Sequence, residues 1–348
     1  MSPITSLAAT LPPPAKYTVS NSIPGSIPTT ETAPLDWHAD SSWRSYAFYV
    51  PRRPSARSLL LACALFLLTL CTCLIAGTHF AIAYAHDEAV SWDEFIGAFT
   101  LIYRHPLALA AGLPFALTLL TILLVHELGH FFACRHHHIH SSYPFFIPFP
   151  TLIGTLGAFI LIRSPIRNTR ALFDVGASGP LVGFLIAVPA LIYGIVHAKF
   201  LPGLSVPAEN KIVLSAPLIL QLLAPIFHHG ANAANLLLHP VGRAAWVGLF
   251  ATSLNLLPAA QLDGGHIVRA ISQHAHRVSS IVLPAFLALL GFRYWPGWYL
   301  WAAVLFGIRF LRTLPIYNPE PLGSRRSGAA FLSLIVFVLS FMPAPFLE

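Results

Sequence analysis

His126-Glu127-Leu128-Gly129-His130 lies inside an apolar run from about Leu107 to Phe132. Two His at this spacing on a helix face the same way, so both imidazoles can bind one Zn²⁺. Glu127 fits a zinc shell less well, but its carboxylate can take a proton from water beside the metal. Ionisable side chains in a membrane segment are costly, and they read first as a functional site. The competing reading is a buried His–Glu pair that joins two helices.

The chain around this stretch has 348 residues, 56% of them hydrophobic and only 9% charged. Soluble domains carry roughly 25% charged residues. The composition therefore indicates a polytopic, integral membrane protein whose partner is the lipid bilayer. The formal charge is +7, but its basic residues are spread along the loops. That distribution suits membrane topology and gives no face for nucleic acid. Cys63, Cys71, Cys73 and Cys134 have no zinc-ribbon or paired-disulfide arrangement and read as small apolar residues.

Residues 1–57 are rich in Pro, Ser and Thr and cannot bury a core, so a disordered cytoplasmic segment is expected there. No N-terminal signal peptide is expected, because the first long apolar run starts too late. Seven spans are expected, at about 58–84, 107–134, 174–199, 241–261, 278–292, 297–313 and 329–346. A further apolar run, 212–227, contains Pro217 and Pro225 and is expected not to cross. With the N-terminus in the cytoplasm, fifteen of the twenty Lys and Arg fall inside. The other five, Arg104, Lys199, Lys211, Arg243 and Arg293, fall outside. The membrane expected from this pattern is a bacterial inner membrane.

Acids are scarce beyond Glu94: Glu127, Asp174, Glu209, Asp263, Glu320 and Glu348 are all that remain. Asp174 opens a span and reads as its N-cap. Asp263, in Leu262-Asp263-Gly264-Gly265-His266, ends an apolar span. Alone it reads as a cap or turn residue. Beside two His that need a third ligand and an open position for water, it becomes the candidate by elimination. One zinc per chain, held by His126, His130 and Asp263, is the expected cofactor.

Together with His126-Glu127-Leu128-Gly129-His130, the stretches Asn255-Leu256-Leu257-Pro258 and Leu262-Asp263-Gly264-Gly265 resemble the site-2 protease family of intramembrane metalloproteases. Gly179-Pro180-Leu181-Val182-Gly183 resembles that family's central-span motif, and Pro148 to Phe159 resembles the hairpin of its branch without a PDZ domain. The resemblance covers roughly 105–315, which becomes the expected catalytic membrane core. Outside it lie a first helix and outer loop (58–104) and a cytoplasmic loop with a last helix (316–348). It implies hydrolysis of peptide bonds in or near transmembrane segments of membrane-protein substrates. It also implies Glu127 as catalytic base and the same three metal ligands.

By the same resemblance Asn255 is a substrate-binding candidate, its amide contacting the substrate backbone or the developing oxyanion. An interhelical hydrogen bond is the other reading of an Asn there. The broken segment Tyr143–Ile162 is expected to be a re-entrant hairpin whose Gly154 and Gly157 help offer an edge strand to substrate. A loop on the bilayer surface is the alternative. His136, His137, His138 and His140 either feed metal to the site or sit among head groups. Gly179 and Gly183 permit close helix packing. The rival function is a transporter or scaffold with a structural metal. The sequence names neither the substrate nor the oligomeric state.

Overall fold

The computed structural model describes residues 55–166, 168–204, 211–228, 232–308 and 320–347. The expected disordered segment lies outside these apart from residues 55–57, as do Arg167, Glu209, Arg309 and Arg312.

Helix α1 (Ala56–Ala85) opens with Ser55, whose Oγ accepts the N–H of Ser58 at 3.3 Å. β1 (Val90–Ser91), α2 (Trp92–Arg104) and a 3₁₀ turn (Pro106–Gly112) lead into α3 (Leu113–His136). β2 (Phe145–Pro148) and β3 (Thr155–Phe159) form an antiparallel hairpin. Then come α4 (Thr169–Val196), β4 (Lys199–Phe200), β5 (Lys211–Leu214), α5 (Leu218–Phe227) and β6 (Leu236–Leu237). The chain continues through α6 (Pro240–Asn255), α7 (Asp263–Ile271), α8 (Gln273–Arg293), α9 (Gly297–Ile308), α10 (Ser324–Ser340) and β7 (Phe346–Leu347).

The protein is mostly helical. Four helical stretches, Ala56–Ala85, Pro106–His136, Thr169–Val196 and Gln273–Arg293, are long and apolar enough to cross a membrane. Their outward side chains are apolar too: Leu60, Leu185 and Leu289 are 69%, 67% and 63% exposed. Apolar surface on this scale marks contact with lipid or another apolar partner. The inner faces pack around fully buried Phe115, Leu119, Trp246 and Trp298. The two indole N–H groups donate to the carbonyls of Ser215 and Pro343, both at 2.6 Å. Each buried ring therefore keeps its polar atom satisfied.

Each expected span has a helix within it among the described residues, but several boundaries differ, and residues 309–313 of the sixth lie outside the described residues. Residues 241–261 are not one helix. α6 stops at Asn255, because Pro258 lacks an N–H and disfavours helical geometry in Leu257 before it. Residues 329–346 do not form one helix either. α10 starts earlier, ends at Ser340 ahead of Pro343 and Pro345, and Phe346–Leu347 pair as a strand. α4 starts at Thr169 rather than 174, with Asn168 as its N-cap accepting the N–H of Ala171 at 2.7 Å. Asp174 is therefore not the cap. The run 212–227 divides at Pro217 into β5 and α5. The 10 residues of α5 reach only about 15 Å, half of a bilayer core.

Short strands fasten one end of the bundle. β4 pairs with β6, Lys199 opposite Leu237 and Phe200 opposite Leu236. β5 lies between β1 and β7. β4–β6 thus joins the end of α4 to the start of α6, and β5 joins the chain that follows α1 to the chain that follows α10. The opposite end is tied by charge: Arg326 makes a bidentate pair with Asp174 at 2.8 and 2.7 Å, and Asp174 also meets His137 Nε2 at 2.8 Å. Arg170 pairs with Glu320 at 3.2 Å. At one or the other end, α3, α4 and α10 are each held by name.

Because β4 and β6 are hydrogen-bonded, the chain between them starts and ends at the same end of the bundle. With the native Cys replaced, Pro202→Cys and Asn232→Cys should react with a membrane-impermeant thiol reagent from the same side. Reaction from opposite sides would overturn this topology.

Candidate metal centre

The site is built on two helices that approach closely through glycine. On α3 a Cβ at Gly129 would meet Val182 and the Ser178 carbonyl at 2.7 and 2.8 Å. On α4 a Cβ at Gly179 would fall onto the His130 ring, and one at Gly183 would stand 3.0 Å from His126 Nδ1. The absent side chains leave the volume that the two imidazoles occupy. Gly176, one turn earlier, does the same for α7: its Cβ would meet His266 at 2.7 Å and the Asp263 carbonyl at 2.9 Å.

α7 returns Asp263 to the His pair. The carboxylate Oδ2 lies 3.3 Å from His126 Nε2 and 3.2 Å from His130 Nε2. The three ligand atoms all fall within 4.8 Å of one another. No other group of three His, Cys, Asp or Glu converges in this way among the described residues. The His136–His140 tract forms no such group there, and His137 instead caps α3 and meets Asp174.

His126, Glu127 and His130 are 4%, 4% and 6% exposed. His130 Nδ1 is 2.7 Å from the carbonyl of Val175. A carbonyl only accepts, so Nδ1 carries the proton, and Nε2 is the ring nitrogen turned toward Asp263. Nε2 is therefore the atom that would meet a metal. The donor set of two imidazoles and one carboxylate fits zinc, with a coordination position left open.

Glu127 stands beside this cluster, and the backbone N–H of Ile160, just past β3, approaches its carboxylate. The end of the hairpin thus lies close to the carboxylate. Asn255 ends α6 with Nδ2 3.3 Å from His126 Nε2. Gly154 (φ +83°) packs on α1, where a Cβ would meet Cys73 Cα at 2.7 Å, and its carbonyl accepts from Thr72 Oγ1 at 2.6 Å. Gly157 (φ +105°) faces open space, and its N–H is taken by Thr155 Oγ1 at 3.0 Å. The sequence pattern brings His126, Glu127, His130, Asn255 and Asp263 together. It does not reveal the Val175 carbonyl, which is a backbone group, or the Asp174–Arg326 pair.

An apolar helical bundle that buries a His-Glu-x-x-His helix against a carboxylate from a distant turn defines the class of membrane-helix metallopeptidases. Residues 114–291, more than half of the chain, match the model of peptidase family M50, and the chain belongs to that family, the site-2 protease family. A rice protein (Oryza sativa subsp. japonica) named probable zinc metalloprotease EGY1, chloroplastic, is 32% identical over 212 residues, 59% of this chain and 36% of its own. The Arabidopsis thaliana protein of the same name is 30% identical over 247 residues, 67% and 43% of the two chains. Arabidopsis EGY2 is 32% identical over 187 residues, 52% and 32%. The chain therefore spans less than half the length of these relatives. No solved structure matches it. The relatives are named as chloroplastic and lend no support to a bacterial inner membrane.

Gly179→Ala should displace His130 and weaken zinc retention on the order of tenfold or more, the scale seen when ligand-orienting contacts are lost. Chelator competition on the purified protein measures it. Unchanged retention would show that the ring does not need this space.

Proposed function

We propose that the chain is an intramembrane zinc metalloendopeptidase, cleaving peptide bonds in or near the transmembrane segments of membrane-protein substrates. The observation that carries this reading is the convergence of His126 Nε2, His130 Nε2 and Asp263 Oδ2 within 4.8 Å, beside Glu127, on apolar helices. Bound there, one zinc would supply a Lewis acid that polarises the scissile carbonyl and makes water acidic enough to ionise near neutral pH.

The chain's own residues supply the rest. Val175 fixes the His130 tautomer, and Gly179 and Gly183 leave room for both rings. Glu127 accepts the water proton and hands it to the leaving amine. Asn255, within reach of the ligand atoms, donates to the substrate backbone or the developing oxyanion. A helical substrate must unwind before its peptide bond is accessible. The hairpin, re-entrant at membrane depth, offers it the edge of β3. The approach of Ile160 to Glu127 puts that edge near the base. Gly154 serves this indirectly by seating the hairpin on α1, whereas Gly157 lies on the open side.

Seven helices cross in this reading, with 105–315 as the catalytic core and α5 lying on the outer side. Two features support it. Arg135, Arg163, Arg170, Arg269, Arg277, Arg325 and Arg326 lie in or beside the segments that this reading puts on the cytoplasmic side, as the distribution of basic residues requires. The β4–β6 pairing returns the chain to the side it left, so α3 and α6 run in the same sense and Asp263 emerges at the depth of the His pair.

Glu127→Gln should retain zinc and lose about 10²–10⁴-fold in cleavage rate, the usual share of general acid–base catalysis. Asp263→Ala should lose zinc. Normal turnover of the first variant in a reconstituted assay would remove Glu127 as the base. Full zinc retention by the second, with the protein folded, would remove Asp263 from the ligand set. Gly157→Val should lower kcat/KM for a transmembrane substrate with zinc content unchanged. Normal cleavage by that variant would count against the strand-addition reading.

A further inference from the structure

The turn that delivers Asp263 contains a residue in an unfavourable backbone conformation. Ala260 has φ +53°. In the left-handed region an L side chain crowds its own carbonyl, and a non-Gly residue stays there only when its surroundings over-determine it. Nothing local explains Ala260. The turn's own backbone bonds, Ala259 N–H to the Leu257 carbonyl (2.8 Å) and Leu262 N–H to the Ala259 carbonyl (3.3 Å), leave both polar groups of Ala260 unclaimed.

α8 claims both. The N–H of Ala260 donates to Ser280 Oγ at 3.1 Å, and the carbonyl of Ala260 accepts from His276 Nε2 at 2.9 Å. His276 and Ser280 stand one helical turn apart on α8 and are 9% and 8% exposed. One residue, Ala260, is thus gripped on both sides by side chains from a helix that contributes no ligand. The grip leads to the metal centre by close packing. A Cβ on Gly265 would meet the Ala259 and Ala260 carbonyls at 2.5 and 2.6 Å, so the first turn of α7 sits directly on the gripped unit. Ala260 precedes Asp263 by three residues, and the backbone direction set at Ala260 decides where α7 begins.

We propose that His276 and Ser280 are positioning residues for the Asp263 carboxylate. Between them they hold Ala260 left-handed and so fix the start of α7 against α3. They do not touch the substrate or the metal ligands. The inference rests on the reading of Asp263 as a ligand. It makes a specific demand: the clamp is needed because residue 260 is Ala, and a glycine there would adopt the same φ unaided.

The test uses the full-length protein in detergent, with helical content and zinc affinity by chelator competition as readouts. The ligand-field spectrum of the Co²⁺-substituted protein is the third readout. His276→Ala with Ser280→Ala should keep the helical content, weaken zinc binding roughly 10–100-fold and alter the Co²⁺ spectrum. Adding Ala260→Gly to this pair should restore affinity and spectrum. His276→Gln, whose amide N–H can stand where Nε2–H was, should bind zinc better than His276→Ala. If the pair fails to fold, the single variants with and without Ala260→Gly make the same comparison.

Wild-type affinity and spectrum in the clampless protein, or no recovery with Ala260→Gly, would overturn the proposal. Asp263→Ala run alongside separates the two readings. If it too keeps full affinity, the ligand assignment fails; if it alone loses zinc, the clamp fails.

Discussion

The structure depends on how closely α4 can lie against α3. Two imidazoles and a carboxylate must share a space only a few ångströms across, and an ordinary helix pair fills that space with side chains. Here Gly176, Gly179 and Gly183 face Asp263 and His266, His130 and His126 in turn. The backbone of α4 then serves as a wall of the site, and its Val175 carbonyl becomes the orienting partner of His130. In a bilayer, where apolar contact with lipid competes with apolar contact between helices, small residues are what allow such an approach.

Polar groups admitted by this packing find partners from other elements. His130 is oriented by the Val175 carbonyl, and Asp174 by Arg326 and His137. An unpaired charge in such surroundings would be costly, and removing one partner leaves the other stranded. The Asp174–Arg326 pair also shows that α10, which lies beyond the family match, is joined to the helix that lines the site.

The ligand helix was legible because its signal is local: a four-residue spacing is a property of one helix. Asp263, 137 residues from His126, was legible for another reason, the rarity of acids in so apolar a chain. Asp174 was misread as a cap because its true partner, Arg326, lies 152 residues away and no local pattern announces it. The end of α6 was overrun because hydropathy continues through Leu256-Leu257 while Pro258 had already closed the helix. The two-residue strands were invisible for the same reason as Arg326: their hydrogen-bonding partners are supplied by remote chain. His276 and Ser280 carry no motif, and only a backbone angle at Ala260 reveals what they hold.

The pairing of β4 with β6 has a consequence for how the protein can vary. Phe200 and Leu236 are bonded to each other, so the chain between them starts and ends at one root. β5 and α5 inside it pack back on the bundle. The length of chain beside the root at Pro202 is then decoupled from the geometry of the helices below, since closing a longer loop costs only slowly more entropy. The same property makes it a natural insertion point: a reporter or affinity module placed at the exposed Pro202 would ride on the bundle while leaving α4 and α6 where they are.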